Sequence, residues 1–245
     1  NKGHKIISMN GFENENQIIE IINSIPFFDL SSALKNVLIK INGGVTPKII
    51  YAKKIGGRAK PDLSIKLDSN IFYISVKKGT GNSVHQEKLE TFIPFVKNLG
   101  ASIEIINAIK LFIWSDGTID GSGKIINRKN VKEMASKYPS ELKFIQNFFD
   151  AHKKILINRF IATGIYDNKD KATHLIYGDV NNIYVATIEN VELFLSSQKT
   201  NASVSVGKLS FQAWNVVKNG NPNTENRRGQ IQLKWGGLKN DIFKI

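Results

Sequence analysis

Residues Lys60–Lys77 alternate twice between apolar and polar side chains, with one turn between. Leu63, Ile65 and Leu67 mark the first run, Asp68-Ser69-Asn70 supply turn chemistry, and Phe72, Ile74 and Val76 mark the second. A period of two fits half-buried strands and not a helix, so this stretch reads as a β-hairpin. Facing its apolar residues predicts Leu67 opposite Phe72, Ile65 opposite Ile74 and Leu63 opposite Val76. That register sets Asp62 opposite Lys77, with Ser75 on the same face. Directly opposed residues have Cβ atoms roughly 5 Å apart. A carboxylate and an ammonium group then stand side by side at the ends of two neighbouring strands. Taken alone, such a pair is a surface ion pair worth little to stability.

The chain has 245 residues, enough to bury a full core. It has no cysteine, which excludes disulfides and thiolate zinc sites. His4, His85, His152 and His174 are scattered without metal-ligand spacing. No apolar run approaches the ~20 residues a membrane helix needs. A cytoplasmic protein with no membrane partner is the expectation. The net charge is +13 and is unevenly spread. Residues 124–160 hold nine Lys/Arg against three acids, and residues 199–245 hold eight against two. Two basic blocks on a near-neutral remainder predict a footprint for a polyanion rather than a merely solvated face.

In chain order, residues 10–25 read as a helix, capped by Asn10 and Glu13, with an isoleucine face. Glu15 lies a turn before that face, where a solvated acid suits the helix dipole. Ser31–Ile41 predicts a second helix, and Lys48–Ala52 a short strand. After the hairpin, Gly79-Thr80-Gly81 reads as a turn. Ser83 with Gln86 predicts a capping box opening a helix through Phe92 and Phe95, bent at Pro94. Glu87 is then an exposed helix acid, while His85 is a minor candidate for a phosphate contact. Ile103–Trp114 is apolar enough for a buried strand or helix. Residues 128–163 read as two helices broken at Pro139. His174–Tyr177 and Ile183–Ile188 predict a strand pair, followed by a short helix at Glu189–Ser197. Ser203–Asn215 and Gly229–Trp235 alternate, predicting a β-ribbon with a long polar tip.

The order helix, hairpin, helix resembles the PD-(D/E)XK nuclease superfamily. More closely, the chain is similar to small type II restriction endonucleases that cut four-base sites, of the HinP and Msp type. The likeness lies in Asn10–Ile18, Lys60-Pro61-Asp62, Ile74-Ser75-Val76-Lys77, Gly79–Phe92 and the tail from Val204 to Ile245. It implies an α/β (α+β) fold: a central mixed sheet flanked by helices, with a C-terminal β-ribbon. It implies one nuclease domain over 1–245, with a catalytic core at 1–123, basic helices and a strand pair at 124–198, and a DNA-reading ribbon at 199–245. Asp62 would hold Mg²⁺ and Lys77 would stabilise developing charge or position the attacking water. Glu15 would be a further acid of the metal site. Ser75 stands where the superfamily usually carries a second acid. A serine there could hold a metal-bound water.

The partner implied is double-stranded DNA. Arginine pairs with guanine edges, and Asn or Gln with adenine. Gln212, Asn215, Arg227, Arg228, Gln230 and Gln232 on the ribbon are therefore candidate base readers, although arginines grip phosphates nearly as often. Lys78, Asn82, Lys153, Lys154 and the stretch from Lys124 to Arg128 are candidate phosphate contacts. The reading is a Mg²⁺-dependent, site-specific endonuclease, acting as monomer or homodimer, with a methyltransferase expected genetically. A structure-specific junction nuclease and a non-catalytic DNA-binding protein are the alternatives.

Overall fold

The computed structural model describes residues 11–57, 59–80, 83–166, 170–214 and 223–245. In chain order its elements are α1 (Gly11–Ser24), α2 (Ser32–Ile41), β1 (Ile50–Lys54), β2 (Leu63–Leu67), β3 (Asn70–Lys77) and β4 (Ser83–Lys88). Helices α3 (Leu89–Asn98), α4 (Ile103–Trp114), α5 (Val131–Lys137), α6 (Pro139–Ala151) and α7 (Lys153–Asn158) follow. Then come β5 (His174–Asp179), β6 (Asn182–Thr187), α8 (Ile188–Ser197), β7 (Ser205–Val206), β8 (Leu209–Ala213), β9 (Gln230–Lys234) and α9 (Leu238–Asp241).

The chain divides into two compact units, one of residues 1–81, 166–191 and 238–245, the other of 82–165 and 192–237. The first holds a five-stranded sheet in the order β1-β2-β3-β5-β6. Only β3 and β5 run parallel, so the sheet is mixed. Its core joins Ile18 and Ile22 of α1 and Leu34, Val37, Leu38 and Ile41 of α2 to Leu63, Ile65, Leu67, Ile74 and Val76. The second unit holds an antiparallel sheet in the order β4-β9-β8-β7. Phe92, Phe112, Phe149 and Phe211 pack together in its core.

The hairpin at 60–77 forms, but its register differs by two residues from the sequence expectation. Leu67 pairs with Asn70, Ile65 with Phe72 and Leu63 with Ile74. The turn is the two-residue link Asp68-Ser69. Asp68 takes a left-handed φ of 54°, and its Oδ1 accepts the N–H groups of Lys48 and Ile49 at 2.9 and 3.0 Å. Such tight turns match the twist of paired strands. Because the slip is two, every side chain keeps its expected face.

The segment from Ser83 is a second correction. It is a strand, and the helix begins only at Leu89. Gln86 Nε2 does donate to Ser83 Oγ at 3.1 Å, but along β4 rather than as a helix cap. Pairing with β9 outweighs the local capping signal: Gln86 stands opposite Gln232 and Glu87 opposite Ile231. The stretch Ile103–Trp114, open between strand and helix in sequence, is a helix capped by Ser102. The tail ribbon is β8 and β9, widened to four strands by β4 and β7.

Glu87 is not an exposed helix acid. It is 2% exposed, on the apolar side of β4. Arg159 grips it with two bonds, Nε to Oε2 at 3.1 Å and Nη2 to Oε1 at 2.5 Å. His85 Nε2 lies 2.9 Å from the same Oε2. The guanidinium also lies 4.1 Å from the centroid of Phe95. Burial pushes the Glu87 carboxyl up; the bonds from His85 and Arg159 outweigh it and hold the group below its ordinary 4.5. The unfolded chain therefore binds the proton first on acidification. The pair's stabilisation is present above about pH 4.5 and is lost as pH falls through the lower folded value. Glu87→Ala leaves a buried guanidinium unpaired and is expected to cost about 3–5 kcal/mol in urea unfolding at pH 7. Acid titration of wild-type stability should show a loss below that range which Glu87→Gln lacks.

Candidate active site

Asp62 sits where β2 begins, and strand pairing holds its backbone from both sides. Its N–H donates to Ile74 O at 2.8 Å, and its carbonyl accepts from Ile55 N at 3.1 Å. Side-chain Oδ2 accepts the Val76 N–H at 2.7 Å and the Ser75 hydroxyl at 3.4 Å. Oδ1 has no protein partner among the described residues, and Asp62 is half-buried. One oxygen is thus locked by the backbone and the other is available. Ser75, rather than Lys77, is the direct neighbour of Asp62, as the two-residue shift requires. It is 2% exposed. Lys77 lies two residues on, on the same face, half-buried, and its ammonium makes no bond with any described residue. A long side chain spans such a diagonal step.

Glu15 is brought to the same end of this sheet, yet it is already paired. Its Oε2 lies 3.0 Å from Lys54 Nζ. Lys54 closes β1 opposite Leu63, the residue after Asp62. Asn14, fully buried, donates to Gly178 O at 2.8 Å. Gly178 follows Tyr177, the parallel partner of Lys77. These two tethers hold the start of α1 at the strand ends that carry Asp62 and Lys77. Nothing in the local sequence distinguishes Lys54 from the neighbouring Lys53; only the packing of α1 beside β1 singles it out.

The glycine-rich turn after β3 is anchored by Tyr177, whose hydroxyl donates to Gly79 O at 2.8 Å. Burial raises the pKa of that hydroxyl, which keeps it a donor. Lys78 pairs with Asp179 at 3.4 Å. Among the described residues, no three His, Asp or Glu side chains converge as a metal cluster. The oxygens that could serve a cation here are Asp62 Oδ1, the Ser75 hydroxyl and, if it leaves Lys54, Glu15. An all-oxygen set with few protein ligands suits a hard divalent cation more than a soft one.

The remaining candidates lie in the second unit. Gln212 Nε2 donates to Gln232 Oε1 at 3.2 Å, and Gln232 Nε2 to Ser83 Oγ at 3.2 Å. Gln230 donates to Asn226 O at 3.3 Å. Arg227 is exposed and stacks 4.0 Å from the centroid of a Trp214 ring. Arg228 turns inward instead, bonding Asp116 Oδ2 and Trp114 O at 3.1 Å each. Arg128 is 3% exposed and forks onto Glu225 at 2.6 and 3.1 Å. Its guanidinium is therefore spent within the protein rather than offered to a phosphate. His85 is buried against Glu87 and Phe160. Lys153 is half-buried and Lys154 exposed on α7. Asn10, Asn82 and Asn215 lie outside the described residues.

No protein-family model matches the sequence, and no curated protein matches it. Among solved structures, the restriction endonuclease MspI, crystallised with its cognate DNA, is similar with a TM-score of 0.59. The match covers 90% of this chain and 87% of that one, at 12% identity. No helix among the described residues is long and apolar enough to cross a membrane. With its five-stranded mixed sheet flanked by helices, the chain has the fold of a restriction endonuclease.

Proposed function

We propose that this protein is a Mg²⁺-dependent, sequence-specific endonuclease of double-stranded DNA. The observation that carries the proposal is the Asp62 carboxylate, with one oxygen fixed by Val76 N–H and the other open, on a strand face shared with an uncommitted Lys77. The +13 net charge supports a polyanionic substrate. The fold shared with MspI, which was solved with DNA, supports the same class.

Asp62 would hold Mg²⁺ through Oδ1, with Ser75 contributing its hydroxyl or a bound water. When bound, the ion would offset phosphodiester charge and lower the pKa of its water. Val76 N–H and Ser75 keep the Asp62 side chain in one rotamer. Lys77 places a positive charge on the same face, where it stabilises negative charge developing on the phosphate or orients the attacking water. Glu15, now paired with Lys54, would serve as a further acid of the site on leaving that pair. A non-catalytic DNA-binding protein is the second reading. Ser75 favours it, because a hydroxyl is a weaker metal ligand than the carboxylate usual at that place.

Incubation with phage DNA in Mg²⁺ should yield discrete fragments. Asp62→Ala should lower cutting by a factor on the order of 1,000 or more while duplex binding persists. Binding without any cutting, in Mg²⁺ or Mn²⁺ on varied DNA, would leave the second reading standing. Ser75→Asp sets two carboxylates against each other. It should lower unfolding stability by about 1–2 kcal/mol in metal-free buffer, and Mg²⁺ should restore more stability to it than to wild type. Equal Mg²⁺ shifts in thermal melts of both proteins would argue against a metal beside Asp62.

A further inference from the structure

The sheet of the second unit has one apolar face and one polar face, and the polar face is built in rows. Ile231 and Leu233 of β9 and Phe211 of β8 are buried on the apolar side. On the other side, Gln86 of β4 stands opposite Gln232 of β9, and Gln232 opposite Gln212 of β8. The three amides are linked. Gln212 donates to Gln232 at 3.2 Å, and Gln232 and Gln86 both donate to Ser83 Oγ, at 3.2 and 3.1 Å. One flanking row sets Lys234 between Ser83 and Ser210. The other sets Lys88 opposite Gln230, whose carbonyl accepts the N–H of Trp214. These strand positions carry two lysines and no acid.

The core does not call for three glutamines in register. Each outer amide keeps a side-chain carbonyl that bonds no described residue, and the hydrogen bonds between them fix which way each one points. Fixed amides offer a donor and an acceptor together, the pattern that matches the N6 and N7 edge of adenine. Strands lie about 4.8 Å apart, so the row spans roughly 10 Å, or about three base-pair steps. Lys88, Lys234 and the exposed Arg227 border the row with positive charge, which suits a polyanion such as a duplex and not a basic-faced protein. Beneath the row, Arg159 grips Glu87 and so holds β4, an edge strand, in place.

Gln232, 6% exposed and bonded at both ends of its amide, orients its neighbours, while Gln86 and Gln212 are half-buried. We infer that Gln86 and Gln212, the outer amides of this row, read base edges in the major groove of duplex DNA, and that Gln86 is a specificity-determining residue. This rests on the endonuclease reading above. The test selects bound duplexes from a randomised library, using full-length protein in metal-free buffer, for wild type, Gln86→Met and Gln86→Ala. Met keeps the length of Gln and removes its hydrogen bonds. Wild type should enrich a short site containing an A·T pair. Both variants should lose preference at one base pair by about 5- to 100-fold, with the other positions and the salt dependence unchanged. Lys88→Ala should instead weaken all sequences alike and reduce the salt slope by about one.

Unchanged selection in both Gln86 variants would overturn the inference, and so would wild-type binding without sequence preference. Uniform loss of binding in Gln86→Met would assign the row a structural role and overturn it equally. Failure of wild type to bind any duplex would bring down the endonuclease reading itself, so the two failures are distinguishable.

Discussion

The parallel pairing of β3 with β5 is the constraint on which the first unit depends. Ile74 to Lys77 run beside His174 to Tyr177, across about a hundred residues of sequence. Parallel neighbours cannot be joined by a tight turn and need a long crossover. Here the crossover contains β4 and helices α3 to α7, so in chain order most of the second unit comes between two strands that pair in the first. The pairing starts at a latch: Thr173 N donates to Tyr73 O at 2.7 Å, and Tyr73 N donates to Thr173 Oγ1 at 3.0 Å. Once latched, β3 is hydrogen-bonded on both edges. Ser75 and Lys77 are thereby fixed against Asp62 on one side and Tyr177 on the other. A residue on a doubly paired strand loses the freedom that a loop would give it, which is what preorganised chemistry requires.

The hairpin was legible in the sequence because strand alternation reports faces. It could not report the partner across the turn, since a shift of two leaves each face unchanged. Asp62, Ser75 and Lys77 therefore appear together in both accounts, with Ser75 and not Lys77 as the direct neighbour of Asp62. Strand β4 was hidden for a different reason. Its inward residues are His85 and Glu87, which look like surface residues until Arg159, 72 positions later, is known to face them. Its outward Ser83 and Gln86 meanwhile mimic a helix cap. Local propensity had nothing to set against that signal, because the energy that decides the matter comes from pairing with β9. The Lys54–Glu15 contact was illegible likewise: it depends on how α1 crosses β1.

Charge counted along the chain also differs from charge presented by the fold. Arg128, Arg159 and Arg228, all within the two basic blocks, turn inward onto Glu225, Glu87 and Asp116. Arg228 is held there by a close-fitting ring. A Cβ on Gly121 or Gly229 would come within 2.4 Å of the Trp114 indole, so only glycine admits the ring at these places. The Arg228 guanidinium lies 5.3 Å from the centroid of a ring of the same side chain. Arg128 and Arg159 fork onto their acids, and Arg228 bonds Asp116 and Trp114 O through one nitrogen. Of the two forked pairs, Arg159–Glu87 is buried and costly to break from one side, whereas Glu225 is partly exposed. They are not available to a nucleic acid without breaking those pairs.

That allocation bears on how DNA could be read. Arginine, the commonest reader of guanine, is mostly committed to internal acids in the basic blocks, and lysine carries the outward charge. Lysine meets phosphates as a point charge and says little about sequence. Any selectivity toward a base sequence would then have to come from groups whose geometry is fixed and whose hydrogen-bonding capacity is not exhausted. On the polar face of the second sheet, the outer glutamines Gln86 and Gln212 meet both conditions. They stand on paired strands, Ser83 and Gln232 orient them, and the bonds that orient them leave outward capacity on each end of the row. A fold that commits its arginines to acids for stability and sets half-buried amides in register on either side of a buried one would divide the two tasks between different side chains.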